Sequence, residues 1–233
     1  MLELPVIIGH RGAAACAPEN TLEGFALAAR LGCAMVEFDT RLTADGVPIV
    51  FHDDHLDRTT ALSGPVAACS LAQLRRHAPQ VPILAEVLDL CRSLGLAVNI
   101  EIKPDRGTEA ASAGAALRVA RDLWDRPVLV SSFAPRALAV AAEQCPSWPR
   151  GLLVGRVTAG TIARALTLGC EIVAAEQSRL TAERVAILKK HDLRVLAYTV
   201  NRVGRAEHLL QRGVSALFSD RPDLLAGKSA AMS

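Results

Sequence analysis

Four short segments carry the side chains best suited to chemistry. His10, Arg11 and Gly12 close an apolar run, Glu37 and Asp39 stand two apart in the next, His52 and Asp53 follow an Asp45-Gly46 turn, and Glu101 and Lys103 stand two apart further on. His10 and His52 bring imidazoles, which give or take protons near neutral pH. Glu37, Asp39 and Glu101 bring carboxylates, and carboxylates brought together call for a cation. Arg11 and Lys103 bring fixed positive charge suited to the oxygens of a phosphodiester, arginine as a planar fork and lysine as a point charge. The set points to metal-assisted cleavage of a phosphodiester.

Alternate side chains of a strand share a face, so Glu37 and Asp39 point one way while Val36 and Phe38 point the other. Asn99, Glu101 and Lys103 alternate in the same manner with Val98, Ile100 and Ile102. Three polar residues facing a closed interior would be costly without a ligand. Oxygen donors with neither a thiolate nor an H-x-x-x-H helix favour a hard divalent ion, Mg²⁺ or Ca²⁺, over zinc. A competing reading pairs Glu37 and Glu101 with Arg11 and Lys103 as buried salt bridges. Asp53 is placed either to orient His52 or to begin the next loop, and Gly12 either admits a close backbone approach or simply turns.

These residues need elements to hold them. Strand patterns cover 5–10, 35–41, 97–103, 128–133, 151–155, 171–176, 194–200 and 216–219, and helical patterns cover 21–31, 83–94, 108–124, 135–145, 159–168, 181–190, 202–211 and 222–226. The alternation reads as an α/β fold, a (β/α)₈ TIM barrel, with its site at the C-terminal mouth of the strands. Residues 49–53 follow their turn too closely for a helix and read as a hairpin return, which His52 would end. A loop-rich stretch with a short helical patch near Leu71 comes next. The expectation is one domain over 1–233, with a β-hairpin and small insertion at about 49–82 after the second strand. Asn20 reads as the cap of the first helix with Glu23 completing a capping box. Glu19 is likewise assigned to capping, and Arg58, Thr59 and Thr60 to fastening the insertion. The tail after Gly227 reads as frayed.

Composition narrows the partners. Half of the 233 residues are apolar and 21% are charged, enough to bury a large core. A net charge of +2, with arginines scattered along helices, argues against nucleic acid. Six cysteines at irregular intervals, with no C-x-x-C pair, read as reduced core residues. Glu3 and the lack of a basic n-region spoil a signal-peptide reading, and no apolar stretch is long enough to cross a bilayer. The expectation is therefore a cytoplasmic protein with no membrane insertion, acting on small molecules. An apolar helix face would serve a homodimer as well as a core.

The segments IIGHRG, PENT, MVEFDTRLTADG, IVFHDD, DRTT and NIEIKP occur in that order within about residues 6–222, and together they resemble the glycerophosphodiester phosphodiesterase family, most closely its cytoplasmic bacterial branch. The resemblance implies hydrolysis of glycerophosphodiesters, such as glycerophosphocholine and glycerophosphoethanolamine, to sn-glycerol 3-phosphate and an alcohol, with one divalent cation, Mg²⁺ or Ca²⁺. It implies metal binding by Glu37, Asp39 and Glu101, acid/base catalysis by His10 and His52, and phosphate contact by Arg11 and Lys103. Our working assignment makes His10 the base and His52 the acid. Attack through the neighbouring glycerol 2-hydroxyl, by way of a cyclic phosphate, and direct attack by water are both open. A lysophospholipase D-like phosphodiesterase would instead need an apolar trough for an acyl chain, and a third reading is a non-catalytic barrel that binds glycerophosphodiesters. The chain departs from the family pattern after Arg76, where a site-covering aspartate, glycine and aromatic stretch is reduced to His77-Ala-Pro-Gln-Val. It departs again at Glu176, where relatives often carry Asn or His; contact with substrate glycerol or with the ion's water shell is one reading, and a salt bridge to Arg179 is the one we expect. Tyr198 stands where many relatives have Trp.

Overall fold

The computed structural model describes residues 3–126 and 128–226, and the tail expected to fray after Gly227 lies outside them. The chain opens with β1 (Ile7–His10), α1 (Leu22–Arg30), β2 (Met35–Leu42) and β3 (Pro48–Val50), followed by α2 (Leu71–His77) and α3 (Leu84–Ser93). The alternation continues with β4 (Ala97–Ile102), α4 (Glu109–Leu123), β5 (Leu129–Ser132), α5 (Pro135–Gln144), β6 (Arg150–Val154) and α6 (Ala159–Thr167). It ends with β7 (Ile172–Glu176), α7 (Ala182–Lys190), β8 (Arg194–Tyr198), α8 (Val203–Gln211), β9 (Ala216–Ser219) and α9 (Pro222–Leu225). All strands except β3 pair in parallel in the order β1-β9-β8-β7-β6-β5-β4-β2, and β1 pairs back onto β2. This closure is the expected (β/α)₈ barrel.

Strand alternation divides the core. Ile8, Met35, Leu129, Leu153, Ile172, Ala174, Leu196, Ala216 and Phe218 pack inside the barrel. The opposite faces meet the helices: Val36, Phe38, Val98 and Ile100 join Phe25, Leu88 and Leu117 on one side, while Val173, Val195 and Ala197 join Ile162, Val185 and Leu209 on the other. Inward positions nearer the strand C-termini turn polar. On β2, Met35 is followed at two-residue steps by Glu37 and Asp39, and on β4, Ala97 by Asn99 and Glu101. The same pleat that buries an apolar plug thus lifts carboxylates to the mouth.

β3 runs antiparallel to the end of β2, with Thr40 opposite Val50. The hairpin return is shorter than its sequence suggests, because pairing ends at Val50 and His52 stands two residues beyond it. The Phe51 N–H still donates to the Asp39 carbonyl at 3.0 Å, which holds the departing chain against β2. Ile49, Phe51, Leu56, Val66, Leu74 and Val81 gather into a small cluster of their own beside the barrel.

The cap of α1 differs from the expectation. Thr21, not Asn20, accepts from the Gly24 N–H through Oγ1, at 3.1 Å. Asn20 has φ 56° and a buried side chain directed at Asp39. Two adjacent residues both suited the cap, and the one recruited by a buried carboxylate could not serve. All six cysteines are free; five are buried and Cys16 is exposed.

Candidate active site

His10 ends β1, and the chain then reverses through Arg11 at φ 50° and Gly12 at φ 88°. A Cβ at Gly12 would lie 2.7 Å from the Gly24 carbonyl carbon, so backbone sign and close packing against α1 both demand glycine there. The reversal brings the Arg11 N–H to Glu37 Oε2 at 3.1 Å. Its guanidinium lies between Glu19 Oε1, at 3.1 Å, and Asp39 Oδ2, at 3.3 Å from Nε without hydrogen-bond geometry. Burial alone would lower the Arg11 pKa, but Asp39, Glu37 and Glu19 together raise it, so the cation is permanent.

β2 and β4 are neighbours, with Asp39 opposite Glu101 and Glu37 opposite Asn99. One carboxylate oxygen from each of Glu37, Asp39 and Glu101 lies within 4.8 Å of the other two, and all three residues are buried. Glu37 is raised well above the usual carboxylate range by burial and by its two acidic neighbours. Burial and Asp39 push Glu101 up to about 7 against the pull of Lys103. Burial would raise Asp39 too, but Lys103, Arg11 and His52 hold it low. Lys103 Nζ stands 3.2 Å from Glu101 Oε1 and 3.5 Å from Asp39 Oδ1, so the salt-bridge reading is realised in part. It leaves Glu37 Oε1 buried with no hydrogen-bond partner. Crowded negative charge, a bare acceptor and an all-oxygen donor set fit a hard divalent cation.

Each histidine is gripped by an aspartate through Nδ1. Asp220, just beyond β9, takes His10 Nδ1 at 2.6 Å, while His10 Nε2 lies 3.8 Å from Glu37. Asn201 donates to Asp220 Oδ2 at 2.8 Å and accepts from its N–H at 2.9 Å. Burial would raise the Asp220 pKa, but His10 and Asn201 outweigh it and keep the group ionised. Asp53 takes His52 Nδ1 at 2.6 Å, the contact that the orienting reading requires. Arg58 donates to both Asp53 oxygens and reaches across to both oxygens of Glu19, holding Asp53 well below the usual carboxylate range. With Nδ1 held by an aspartate in each case, Nε2 is the ring nitrogen left to face the cleft. Burial lowers the His52 pKa against the pull of Asp39 and Asp53.

His10, Arg11, Glu37, His52, Glu101 and Lys103 line one cleft of about 290 Å³. Asp39, 1% exposed, sits behind its surface against Asn20. All seven residues singled out in the sequence therefore come together. Glu19, assigned to capping, instead bridges Arg11 and Arg58. Glu176 does not line the cleft: it accepts from the Ser178 N–H at 3.0 Å, with Arg179 a distant 3.8 Å away, so the expected salt bridge is secondary. Sequence reading missed Asp220, Asn201 and Arg41, whose Nε donates to the His52 carbonyl at 2.8 Å. It also missed the opposite wall of Phe133, Leu153 and Phe218, to which Tyr198, noted only for standing where relatives have Trp, belongs. The polar Ser219-Asp220 pair closing the last apolar run was the available signal for Asp220.

Comparison with known proteins places this geometry. Residues 10–224 match the model of the glycerophosphoryl diester phosphodiesterase family. The chain is 27% identical over 232 residues to a glycerophosphodiester phosphodiesterase of Caldanaerobacter subterraneus, covering 94% of this chain and 96% of that one. It is 29% identical over 248 residues to a Bacillus subtilis glycerophosphodiester phosphodiesterase, covering 93% of this chain and 84% of the relative. An Oleispira antarctica phosphodiesterase, solved in complex with the product sn-glycerol-3-phosphate, superposes with a TM-score of 0.93 at 33% identity, over 98% of this chain and 97% of the other.

Proposed function

This chain belongs to the glycerophosphoryl diester phosphodiesterase family and is a glycerophosphodiester phosphodiesterase; from that premise we propose that it cleaves glycerophosphocholine, glycerophosphoethanolamine and similar diesters to sn-glycerol 3-phosphate and an alcohol by metal-assisted acid/base catalysis. The observation that carries the mechanism is the gathering of Glu37, Asp39 and Glu101 beside two histidines that each have Nδ1 fixed by an aspartate. Those three carboxylates would hold Mg²⁺ or Ca²⁺, which when bound supplies Lewis-acid stabilisation of negative charge on the phosphoryl oxygens.

The remaining steps belong to the chain's own groups. Arg11 and Lys103 take nonbridging phosphate oxygens and fix the ester between the histidines. His10 Nε2 withdraws the proton of the attacking hydroxyl, whether of water or of the substrate's own glycerol, and Asp220 stabilises the imidazolium that results. His52 enters the step as the imidazolium, having taken its proton from solvent, and gives that proton from Nε2 to the departing alkoxide, while Asp53 keeps its ring in place. Phe133, Leu153, Tyr198 and Phe218 limit water on the far side and strengthen these charged contacts. A cleft of about 290 Å³ suits a short polyol phosphate better than an acyl chain, which ranks the lysophospholipase D-like reading second.

We assign the activity to one catalytic unit spanning the barrel and residues 49–82, working in the cytoplasm, where its cysteines would stay reduced. No helix among the described residues is long and apolar enough to cross a membrane. The test is release of choline and glycerol 3-phosphate from glycerophosphocholine. Turnover should vanish in EDTA and return with excess Mg²⁺ or Ca²⁺, and undiminished activity in chelator refutes the metal assignment.

A further inference from the structure

We propose that Asn99 is the residue that recognises the substrate's polyol, receiving glycerol hydroxyls at the floor of the cleft while the phosphodiester lies above and the departing alcohol points outward; this deepens the phosphodiesterase reading and rests on it. Asn99 lines the cleft at 1% exposure, and neither its Oδ1 nor its Nδ2 has a hydrogen-bond partner in the protein. Buried amides are nearly always paired, and one with both ends bare inside a binding cleft is matched to a ligand.

Its surroundings identify the ligand's chemistry. The register sets Asn99 opposite Glu37 and two residues before Glu101 on the same face, next to the carboxylate cluster and nearer the closed end of the barrel. Leu153 and Phe218 line the same cleft and offer an apolar surface. A neutral amide supplies one acceptor and two donors, the complement of hydroxyls that both give and accept hydrogen bonds. It suits neither a second phosphate, which calls for cations, nor a quaternary ammonium, which calls for carboxylates or aromatic faces. A three-carbon polyol has hydroxyls for the amide and C–H groups for Leu153 and Phe218. With the polyol inward, the leaving alcohol faces the rim, where Phe133 is half exposed.

The test titrates cation-loaded enzyme with sn-glycerol 3-phosphate and with n-propyl phosphate, which keeps the phosphate and three carbons but has no hydroxyl. Wild-type enzyme should prefer glycerol 3-phosphate by on the order of tenfold or more, since a site built to hydrogen-bond a hydroxyl rejects the analogue lacking it. Asn99→Ala and Asn99→Leu should each weaken glycerol 3-phosphate selectively and bring the ratio toward unity. The leucine variant keeps the volume filled, separating loss of the amide from collapse of a cavity. Equal wild-type affinities overturn the proposal with no variant needed. A preference that survives in both variants, or an equal loss for both ligands, overturns it as well. Wild-type cleavage of glycerophosphocholine is followed in parallel. Its absence refutes the phosphodiesterase reading, whereas cleavage with an unchanged ligand preference refutes only the role of Asn99.

Discussion

The two walls of the cleft are made from one barrel by opposite means. The wall from β1, β2 and β4, joined by His52 just beyond β3, carries buried carboxylates that repel one another, cations wedged between them, and histidines each held by an aspartate, Asp220 from beyond β9 for His10 and the adjacent Asp53 for His52. The facing wall, from the ends of β5, β6, β8 and β9, supports itself. Tyr198 donates to the Val154 carbonyl at 2.9 Å and meets Phe133 edge-on with ring centroids 6.0 Å apart. Burial, with nearby Glu101 and Glu176, pushes the Tyr198 phenol up to about 12, so it stays neutral. Under the proposed mechanism the contrast separates the wall that would perform chemistry from the wall that shapes space. The charged wall gives up stability for reactivity, and the apolar wall needs no ion to hold it.

If this division holds, damage to the charged wall should appear in kcat and damage to the apolar wall in KM. His10→Ala should give the largest effect, lowering kcat by on the order of 10³-fold while circular dichroism stays native; a variant that keeps wild-type kcat removes His10 from the chemistry. Asp220→Asn comes next, with roughly a tenfold to hundredfold loss in kcat and little change in KM. It preserves shape but removes the charge that orients His10, so an unaltered kcat would break the link between β9 and catalysis.

The third effect is on stability, by an amount on the order of 5 °C in thermal midpoint. In EDTA the folded Glu101 titrates near 7 and Glu37 is raised too, so between about pH 6.5 and pH 8 these two groups keep protons in the folded state that they have lost in the unfolded state, whereas at lower pH the lowered His52 acts in the opposite sense. Stability contributed by these groups is therefore present at low pH and falls as pH rises through their folded values. Added divalent cation should reverse the trend, stabilising most at high pH, where the carboxylates are ionised. Melting curves across this range with and without cation check the sign, and a midpoint that rises with pH in EDTA would contradict the carboxylate assignment. The smallest effect is expected from Phe133→Ala on the opposite wall, a few-fold rise in KM with kcat and melting temperature nearly unchanged. A large loss of kcat there would erase the distinction between the walls.

The same division governed what could be read from the chain. Glu37, Asp39, Glu101 and Lys103 stand out because charge inside a strand pattern violates burial, and the register of β2 on β4 was enough to bring them together. The barrel was legible in its β-then-α alternation. Leu153 and Phe218 were not, since an inward apolar residue at the mouth looks no different in sequence from one in the plug beneath it. Asp220 and Asn201 escaped because their value depends on barrel closure, which local pattern does not express. Asn20 was misassigned to a helix cap because its true partner, Asp39, belongs to another element.

One consequence follows from the bond between His10 and Asp220, which spans 210 positions of the chain. During synthesis the N-terminal imidazole emerges first and has no anchor until the final strand leaves the ribosome and docks between β8 and β1. Nascent chains and fragments cut before β9 would bear nearly every reactive group while His10 lacked the partner that fixes its ring.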